Sequence, residues 1–366
     1  MSERFKAIRI LFKSVVGTAN VIVILLFIAS AFSDRISPDR SVFFSYLGLG
    51  FPVFCVLNLC FVVYWLFLWE WRFVLVGLCS FLICRGPVTR YFPFHDRVDD
   101  IPKENVLKVL TYNVMGFGYK GHTEDAPNPI IRDIVCQQEY AVGTSKNFLT
   151  NQKIANALKM YRYRSIIPIG TSGTLKFNIA VFSKYPISKS RKIKYDSSFN
   201  GSSIHELDIR GKKLTLINNH LESFKLTMED RSHYSAFIKN LNSETLDGLR
   251  SSIEQKLGPA FRIRARQARA VAEEIKKIDT DYVLVCGDFN DTPISYAHRT
   301  IQGPLKDAYA ASGRGVGVTY NENFFWFRID NILHSANMKP INCTVDKVRY
   351  SDHYPLWCYL QLKEND

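Results

Sequence analysis

Two long stretches without charged residues near the N-terminus constrain this sequence more than any other feature. The first, residues 15–32, follows four basic residues, and the second covers residues 41–69. A helix needs about 20 apolar residues to cross a roughly 30 Å hydrocarbon core, so both stretches are long enough. Ala29-Ser30-Ala31 resembles a signal-peptidase site, but the first stretch is long for a signal peptide and further apolar stretches follow. We therefore expect a retained membrane segment, residues 1–95, with two or three transmembrane helices.

The number of spans depends on a third apolar stretch, residues 73–84. As a helix it rises only about 18 Å, which is too short to cross a bilayer. Extending it past Arg85 to Phe94 gives enough length if Arg85 reaches outward to the interface. We prefer three spans. The early basic residues place the N-terminus in the cytoplasm, so three spans put the rest of the chain on the far side, whereas two leave it inside.

The chain changes character after residue 95. Residues 96–105 contain several acidic residues and a proline, which is typical of a linker. Beyond them, short apolar strands alternate with helical patterns up to residue 363, and this alternation predicts a globular α/β domain over residues 106–363. The formal net charge is +13, of which +10 falls after residue 100. A domain this basic suits anionic partners such as phosphoesters, nucleic acid or acidic lipid surfaces; a solvated basic surface is the alternative.

Two long helical patterns lie within this domain. Residues 232–257 are polar with helical spacing, and residues 262–277 form a strong helical pattern. The second pattern carries four arginines that could contact phosphate groups, although a solvated helix face is the preferred interpretation. The arginines are Arg262, Arg264, Arg266 and Arg269.

A short apolar run, residues 283–286, predicts a buried strand that stops at Gly287. Asp288 and Asn290 follow two residues apart, so they point to the same side if the extended geometry continues. Pro293 prevents further strand pairing nearby. A carboxylate beside an amide suits holding a water or a metal ion and contacting a phosphoryl oxygen. Taken alone, the pattern is equally typical of an Asp/Asn turn after a core strand.

Similar polar clusters stand at the ends of other predicted strands. Each has a plain structural explanation: Glu139 could end a strand in solvent, and His220 could be a hydrogen-bonded core residue. Asp330 could be a buried acid paired with an arginine. Together the clusters supply carboxylates, histidines and amides that would converge if the strands end on one face of a sheet sandwich. The other clusters contain Thr111-Tyr112-Asn113, Gln137-Gln138-Glu139, Asn218-Asn219-His220 and Ser351-Asp352-His353.

This set of side chains suits phosphoester hydrolysis. Hard carboxylate oxygens bind Mg²⁺ or Mn²⁺, and the ion neutralises charge that develops on a phosphoryl group. An aspartate oriented by an amide can activate a water for in-line attack, and a histidine held by a second carboxylate can stabilise phosphoryl oxygens. The sequence contains no Walker-type glycine loop, serine elbow or catalytic-cysteine context. Nucleotide-driven and covalent mechanisms are therefore disfavoured.

Six motifs, in order, resemble those of the endonuclease/exonuclease/phosphatase family, and they cover roughly residues 105–363. The resemblance implies a DNase I-like four-layer α/β sandwich with its site at one end of two packed sheets. It is strongest to membrane-anchored bacterial members, which implies a protein of the bacterial inner membrane. The preferred three spans make it a multi-pass protein with an extracytoplasmic catalytic domain. The motifs are Leu110-Thr111-Tyr112-Asn113, Gln138-Glu139, Asn219-His220-Leu221, Gly287-Asp288-Phe289-Asn290, Arg328-Ile329-Asp330 and Ser351-Asp352-His353.

The resemblance also implies which residues bind metal. Glu139 corresponds to the principal ligand of Mg²⁺, with Mn²⁺ as the alternative ion. Asn113 and Asp352 correspond to assisting ligands. No other cofactor is implied.

The remaining site residues are implied to act on the water and the phosphate. Asp288 would orient the attacking water, while Asn290 and His220 would contact the phosphate. His353 would stabilise the phosphoryl charge, and Asp330 would hold His353 in place.

Three functions remain open. The leading hypothesis is a membrane-anchored, metal-dependent phosphoesterase that hydrolyses a phosphomonoester or phosphodiester, with a lipid-linked or small phosphoester as the preferred substrate. The second is an Mg²⁺-dependent nuclease acting on DNA, although the acid that apurinic endonucleases carry after the Asn113 motif is absent. The third is a catalytically inactive, anchored binding module, which would be marked by loss of a site residue. The expected partners are a phosphoester and the lipid bilayer, with nucleic acid as the alternative; no protein partner is indicated.

Overall fold

The computed structural model describes residues 3–117, 134–141, 151–172, 175–197, 199–224, 253–322, 325–348 and 350–363. The chain forms two compact units. The first comprises Met1–Tyr91 with Ile294–Tyr296, and the second comprises Phe92–Pro293 with Ala297–Asp366. Residues 96–105, the predicted linker, contain no helix or strand. Most of the helical pattern predicted over residues 232–257 lies outside the described residues.

The first unit is helical. Its described residues form five α-helices, joined by short turns that include a 3₁₀ turn at Ser33–Arg35. The helices are α1 Glu3–Ala31, α2 Phe43–Leu49, α3 Phe51–Phe67, α4 Trp71–Ile83 and α5 Arg85–Tyr91.

One helix among the described residues is long and apolar enough to cross a membrane. It covers Arg9–Ala31, with 23 residues and a mean hydropathy of 2.2, and it contains the first predicted span. The other two predicted spans are bent: α2 and α3 meet at 60°, and α4 and α5 meet at 70°. Pro52 lies in the first turn of α3, where its missing N–H cannot continue the preceding helix. If each bent pair is one span, the number rises to three.

The helices of the first unit are held together by polar contacts and close approach. Trp65 Nε1 of α3 donates to Asn20 Oδ1 of α1 at 3.0 Å, and Asn58 Nδ2 of α3 donates to Ser80 Oγ of α4 at 2.8 Å. A Cβ on Gly77 of α4 would lie 2.4 Å from a side-chain carbon of α3. Small residues and interhelical hydrogen bonds of this kind stabilise helix packing where no water drives association.

Beyond residue 92, the described residues form fourteen strands and four α-helices. A π-helical turn, Ile253–Leu257, precedes the longest of these helices, and a 3₁₀ turn, Met115–Phe117, follows the first strand. The strands are β1 Val106–Asn113, β2 Ile134–Ala141, β3 Tyr163–Ser172, β4 Leu175–Ser183, β5 Ile187–Ile193, β6 Gly201–Ile209, β7 Lys212–His220, β8 Tyr282–Asp288, β9 Lys306–Asp307, β10 Tyr320–Glu322, β11 Phe325–Phe327, β12 Asp330–His334, β13 Met338–Val345 and β14 Leu356–Leu362. The helices are α6 Asn151–Ala157, α7 Gly258–Lys276, α8 Tyr296–Gln302 and α9 Ala308–Ser312.

The strands form two mixed six-stranded sheets and a separate hairpin of β10 and β11. The first sheet has the order β13-β14-β1-β2-β4-β3, and the second has the order β5-β6-β7-β8-β12-β9. At the centre of each sheet lies one parallel pair, β1 with β2 and β7 with β8. The carboxyl ends of two parallel strands lie at the same edge of their sheet, so each pair brings its last residues together.

The two sheets pack face to face. Successive residues of a central strand point to opposite faces, and both faces of these strands carry apolar side chains. Leu107 of β1 and Leu284 of β8 belong to the core between the sheets. Leu110, on the other face of β1, packs in a cluster with Ile154 of α6. Val285, on the other face of β8, packs in a cluster with α7. The layers are therefore helix, sheet, sheet and helix, and the predicted four-layer α/β sandwich is confirmed.

Candidate active site

The ends of the two parallel strand pairs form one polar region. Asn113 ends β1 and Glu139 lies near the end of β2, while His220 and Asp288 end β7 and β8 as register partners. The neighbouring strand β12 runs antiparallel to β8, so its first residue, Asp330, pairs with Asp288. Strand topology thus brings side chains that are far apart in sequence to one edge of the sandwich.

Asn113 joins the two sheets at this edge. Its Nδ2 donates to Glu139 Oε1 at 3.1 Å and to Asp288 Oδ2 at 3.1 Å. Its Oδ1 accepts from the Met115 backbone N–H at 3.1 Å, which fixes which way the amide points. Ser351 Oγ donates to the Asn113 carbonyl oxygen at 2.7 Å, so the segment that carries His353 is held on the same strand end.

The backbone at the site is irregular where the functional side chains leave the strands. The register of β2 shifts between Gln137 and Tyr140, and Glu139 in this bulge has φ of 50°. Bulges re-aim side chains, and residues held at positive φ cluster at functional sites. Gly287 has φ of 131°, and a Cβ there would lie 2.1 Å from the Asn219 carbonyl oxygen. Only glycine allows β7 and β8 to approach this closely beside Asp288.

Asp288 and Asn290 come together through a turn rather than through continued strand geometry. The strand ends at Asp288, and Asn290 has φ of 51°. The Asn290 backbone N–H donates to Asp288 Oδ1 at 2.8 Å, and its Nδ2 donates to Asp288 Oδ2 at 3.2 Å. Of the two interpretations of this pattern, the Asp/Asn turn is the one observed, because the short carboxylate of Asp288 accepts from Asn290 and caps the turn.

Burial and neighbouring charges give Asp288 and His353 unusual proton affinities. Burial raises the pKa of Asp288 to about 6, against the opposing effect of His353. Burial lowers the pKa of His353, but the carboxylates Asp330 and Asp288 outweigh burial and raise that pKa to about 10. His353 Nδ1 lies 2.8 Å from Asp330 Oδ2, and its Nε2 lies 3.7 Å from Asp288 Oδ2. At neutral pH the site therefore holds an ionised aspartate beside a charged imidazole.

His220 occupies the other side of Asp288. Its Nε2 lies 3.8 Å from Asp288 Oδ2 and 3.5 Å from Glu139 Oε1. Burial lowers the pKa of His220, so this imidazole is neutral. Asn200 Nδ2 lies 3.2 Å from His220 Nε2 and donates to the Leu221 carbonyl oxygen at 2.9 Å. Asn200 was not predicted as a site residue. Its only signal in the sequence is its place just before Gly201, where β6 begins, and β6 was not predicted either.

Two sets of side chains could hold a metal ion. Ligand atoms of Asp288, Asp330 and His353 lie within 4.8 Å of one another. In this set, Asp330 Oδ2 and His353 Nδ1 already contact each other at 2.8 Å.

The second set is the one implied by the motifs. The Glu139 side chain is 32 % exposed. Partial burial raises the pKa of Glu139, and the nearby charge of Asp352 raises it further. Two carboxylates at an open strand end supply hard oxygen ligands, which Mg²⁺ prefers over nitrogen ligands. Glu139 and Asp352 are therefore chemically suited to a hard divalent cation. Asn113 presents its Nδ2 to Glu139 and not its Oδ1, so in this geometry it orients the Glu139 carboxylate.

All eight predicted site residues lie at this edge of the sandwich, although their individual roles remain predictions. The residues are Asn113, Glu139, His220, Asp288, Asn290, Asp330, Asp352 and His353.

The sequence profile of the endonuclease/exonuclease/phosphatase family matches residues 103–353, which is more than half of the chain. The chain belongs to this family. Its members are hydrolases that act on phosphoester bonds. A second profile, a domain of unknown function (DUF8431), matches residues 13–91. No curated protein sequence matches the chain.

Several solved structures are similar to this chain at low sequence identity. A family member from Beutenbergia cavernae is 14% identical, with a TM-score of 0.48 over 71% of this chain and 72% of that chain. The catalytic domain of human nocturnin is 15% identical, with a TM-score of 0.48 over 71% and 94% of the two chains. Sphingomyelinase C from Streptomyces griseocarneus is 17% identical, with a TM-score of 0.44 over 69% and 99%. Similarity at this level concerns the fold and carries no information about substrate.

The pairing of His353 with Asp330 predicts a characteristic pH dependence. If Asp288 acts as an ionised base, activity is expected to fall as the pH drops through about 6. If His353 acts in its protonated form, activity is expected to fall as the pH rises through about 10. Asp330→Asn removes the charge that raises the His353 pKa, so the alkaline limb of the kcat/KM profile moves to lower pH while the Mg²⁺ requirement stays unchanged.

Profiles of kcat/KM against pH at several Mg²⁺ concentrations check this expectation. Asp281→Asn, at an exposed aspartate just before the opposite end of β8, is the matched control and leaves both limbs in place. A large rise in the Mg²⁺ concentration needed by the Asp330→Asn variant would instead identify Asp330 as a metal ligand.

Proposed function

We propose that this protein is a membrane-anchored, metal-dependent phosphoesterase that hydrolyses its substrate by in-line attack of an activated water. The observation that carries this proposal is the close approach of an ionised aspartate and a charged imidazole, with 3.7 Å between Asp288 Oδ2 and His353 Nε2. A base for water and an electrostatic partner for phosphoryl oxygens are the two groups that this reaction needs from the protein.

Asp288 is suited to orient and deprotonate the water. Amide donors from Asn113 and Asn290 hold its Oδ2, and the Asn290 backbone N–H holds its Oδ1. The carboxylate is therefore fixed in direction. Because burial raises its pKa to about 6, it is ionised at neutral pH yet more basic than an exposed aspartate.

His353 and His220 are suited to contact the phosphoryl group in different ways. The charged His353 opposes negative charge that grows in the transition state, and Asp330 fixes its orientation through Nδ1. The neutral His220 can donate one N–H without adding charge beside Asp288. Asn290 adds a second neutral donor, its side-chain amide, at the same edge.

The metal that the family implies is assigned to the carboxylates of Glu139 and Asp352, with Asn113 assisting through its hydrogen bond to Glu139. Bound there, Mg²⁺ or Mn²⁺ would neutralise charge on the phosphoryl oxygens. Mg²⁺ is the preferred ion because the donor set consists of oxygens.

Removing metal or either central side chain tests the proposal. Hydrolysis of an activated phosphoester by the full chain in detergent is expected to disappear in EDTA and return with Mg²⁺. Asp288→Asn and His353→Ala are each expected to lower kcat by at least about a hundredfold, because they remove the base and the electrostatic partner.

The control is Asp281→Asn, which retains full activity. Initial rates with bis(p-nitrophenyl) phosphate and p-nitrophenyl phosphate provide the measurement and separate diesterase from monoesterase activity. Full activity of either site variant, or activity in EDTA, would reject the assignment. The alternative of an inactive binding module predicts no hydrolysis by the unmodified protein, and the presence of all eight site residues argues against it.

The N-terminal unit supports the membrane anchor. Its helices expose large apolar side chains, as expected of surfaces that face lipid rather than water. We assign residues 1–95 to the membrane segment, 96–105 to a linker and 106–363 to the catalytic domain. Both bent helix pairs are counted as spans, which gives a multi-pass protein of the bacterial inner membrane. The exposed side chains include Ile10, Leu11, Phe12, Leu25, Val53, Val56, Leu59, Leu75, Val76 and Leu82.

Three spans predict that the catalytic domain lies outside the cytoplasm. Basic residues that precede the first span keep the N-terminus inside, and an odd number of crossings places the C-terminus on the other side. A C-terminal alkaline phosphatase fusion in a bacterial host is therefore expected to be active, and protease added to spheroplasts should digest the domain. Activity only from a cytoplasmic reporter would contradict three spans and favour two.

The membrane position favours a lipid-linked or small phosphoester over DNA. Tethering raises the effective concentration of membrane-borne substrates. Outside the cytoplasm, a chromosomal substrate is absent, and the basic charge suits anionic headgroups as well as nucleic acid. The nuclease alternative is supported by the family and by that same charge.

Direct competition separates these substrates. With equal Mg²⁺, phosphate release from anionic liposomes or lipid phosphates is expected to exceed nicking of plasmid DNA by the full chain. The Asp288→Asn variant controls for contaminating nucleases. Efficient plasmid nicking at low enzyme, with no phosphate released from any lipid, would promote the nuclease function.

A further inference from the structure

A fully buried arginine lies directly behind the proposed active site. Arg264 of α7 has 0 % of its surface exposed. Its Nη1 lies 2.8 Å from Asp291 Oδ2, and its Nε donates to the Glu222 carbonyl oxygen at 2.9 Å. Its guanidinium carbon lies 4.4 Å from the centroid of the Phe224 ring. The expectation that the arginines of this helix form a solvated face is therefore wrong for Arg264, although Arg262 and Arg266 are exposed.

Gln267, one turn further along α7, completes the contact. Its Oε1 accepts from the Glu222 backbone N–H at 2.7 Å, which also fixes the orientation of the amide. The helix therefore binds both polar groups of the Glu222 main chain, the carbonyl through Arg264 and the N–H through Gln267. Two side chains at i and i+3 lie on the same helix face and can act on one residue in this way.

The partners of Arg264 belong to two loops that carry site residues. The His220 loop, residues 220–224, contains Glu222, and the Asn290 loop, residues 288–293, contains Asp291. The loops already meet at Leu221, whose carbonyl oxygen accepts from Asn290 Nδ2 at 2.9 Å. Arg264 adds a second connection one residue further along each loop.

An arginine is a costly choice for this position. The same face of α7 carries Ala268 and Val271, which pack in the apolar core, and an apolar residue at position 264 would avoid burying a charge. Arginine, by contrast, has a planar group that reaches a carboxylate and a carbonyl at the same time in fixed directions. Arg264 therefore connects the two loops in a way that an apolar side chain could not.

We propose that Arg264 and Gln267 are positioning residues that set the spacing of the His220 loop and the Asn290 loop. This inference rests on the proposed function. Arg264 spans both loops, whereas Gln267 holds only the His220 loop. Neither residue touches Glu139, Asn113 or Asp352, so neither sets the metal site.

Two variants and one control test the positioning role in the full chain. Arg264→Lys keeps the charge but loses the planar group, and Gln267→Met keeps the volume but loses the acceptor. Arg266→Ala removes an exposed arginine of the same helix and is the matched control. Each is measured by bis(p-nitrophenyl) phosphate kinetics at several Mg²⁺ concentrations and by amide hydrogen exchange with mass spectrometry.

Arg264→Lys is expected to lower kcat about 10- to 100-fold, the scale of a small misplacement of reacting groups, with the half-saturating Mg²⁺ concentration unchanged. Amide exchange should rise in both loops together while β1 and β14 remain protected. Gln267→Met should loosen the His220 loop alone, and Arg266→Ala should change neither loop. The second variant keeps the test decisive if Arg264→Lys fails to fold.

Full kcat in both folded variants, or faster exchange spread over both sheets, would overturn the positioning role and indicate a general contribution to stability. Failure of the proposed function gives a different result, because the unmodified protein would then hydrolyse none of the substrates. If the loops still loosened selectively in that case, positioning of the loops would stand and the phosphoesterase assignment would fall.

Discussion

The amide of Asn113 is the contact on which the site depends. It donates to Glu139 of its own sheet and to Asp288 of the facing sheet, each at 3.1 Å. Two carboxylates brought to one place repel each other and lose hydration, and a shared amide donor offsets both effects. A second bond joins the sheets behind it, where Gln138 Nε2 donates to Asn218 Oδ1 at 2.6 Å. The relative position of the sheets is thereby tied to the geometry of the site.

Strand topology decides which residues this contact can bring together. Parallel pairs at the centre of both sheets place Asn113 with Glu139 and His220 with Asp288, and the antiparallel neighbour β12 begins at Asp330. The core between the sheets is formed by a large apolar cluster, and the buried polar side chains Gln138 and Asn218 bond to each other across the sheets. The two histidines of the site differ in proton affinity. Asp330 raises the pKa of His353, whereas burial lowers the pKa of His220. One region thus holds two histidines with different charges.

Much of this arrangement could be predicted from the sequence, because central strands carry strong apolar runs that end in polar motifs. The buried strand at residues 283–286 and the site residues at the ends of the central strands were predicted. The edge strand β5 was missed, since it is rich in lysine, arginine and serine and lacks an apolar run. The turn at Asn290 depends on a positive φ that spacing alone does not reveal.

Arg264 shows a different limit of sequence reasoning. Counting its charge with those of Arg262 and Arg266 predicted solvent exposure, yet its spacing to Ala268 and Val271 places it on the apolar face. The helical spacing predicts burial of Arg264, whereas its charge led to the prediction of an exposed residue. Asn200 gave no comparable signal, because its contact with His220 arises from the pairing of β6 with β7.

We propose that the metal binds at Glu139 and that His353 stays paired with Asp330. A crystal structure of the protein grown with Mn²⁺ and measured at the manganese absorption edge tests it most directly. The predicted result is one anomalous peak within bonding distance of Glu139, with His353 still bonded to Asp330. A peak among Asp288, Asp330 and His353, with Glu139 unoccupied, would contradict the assignment.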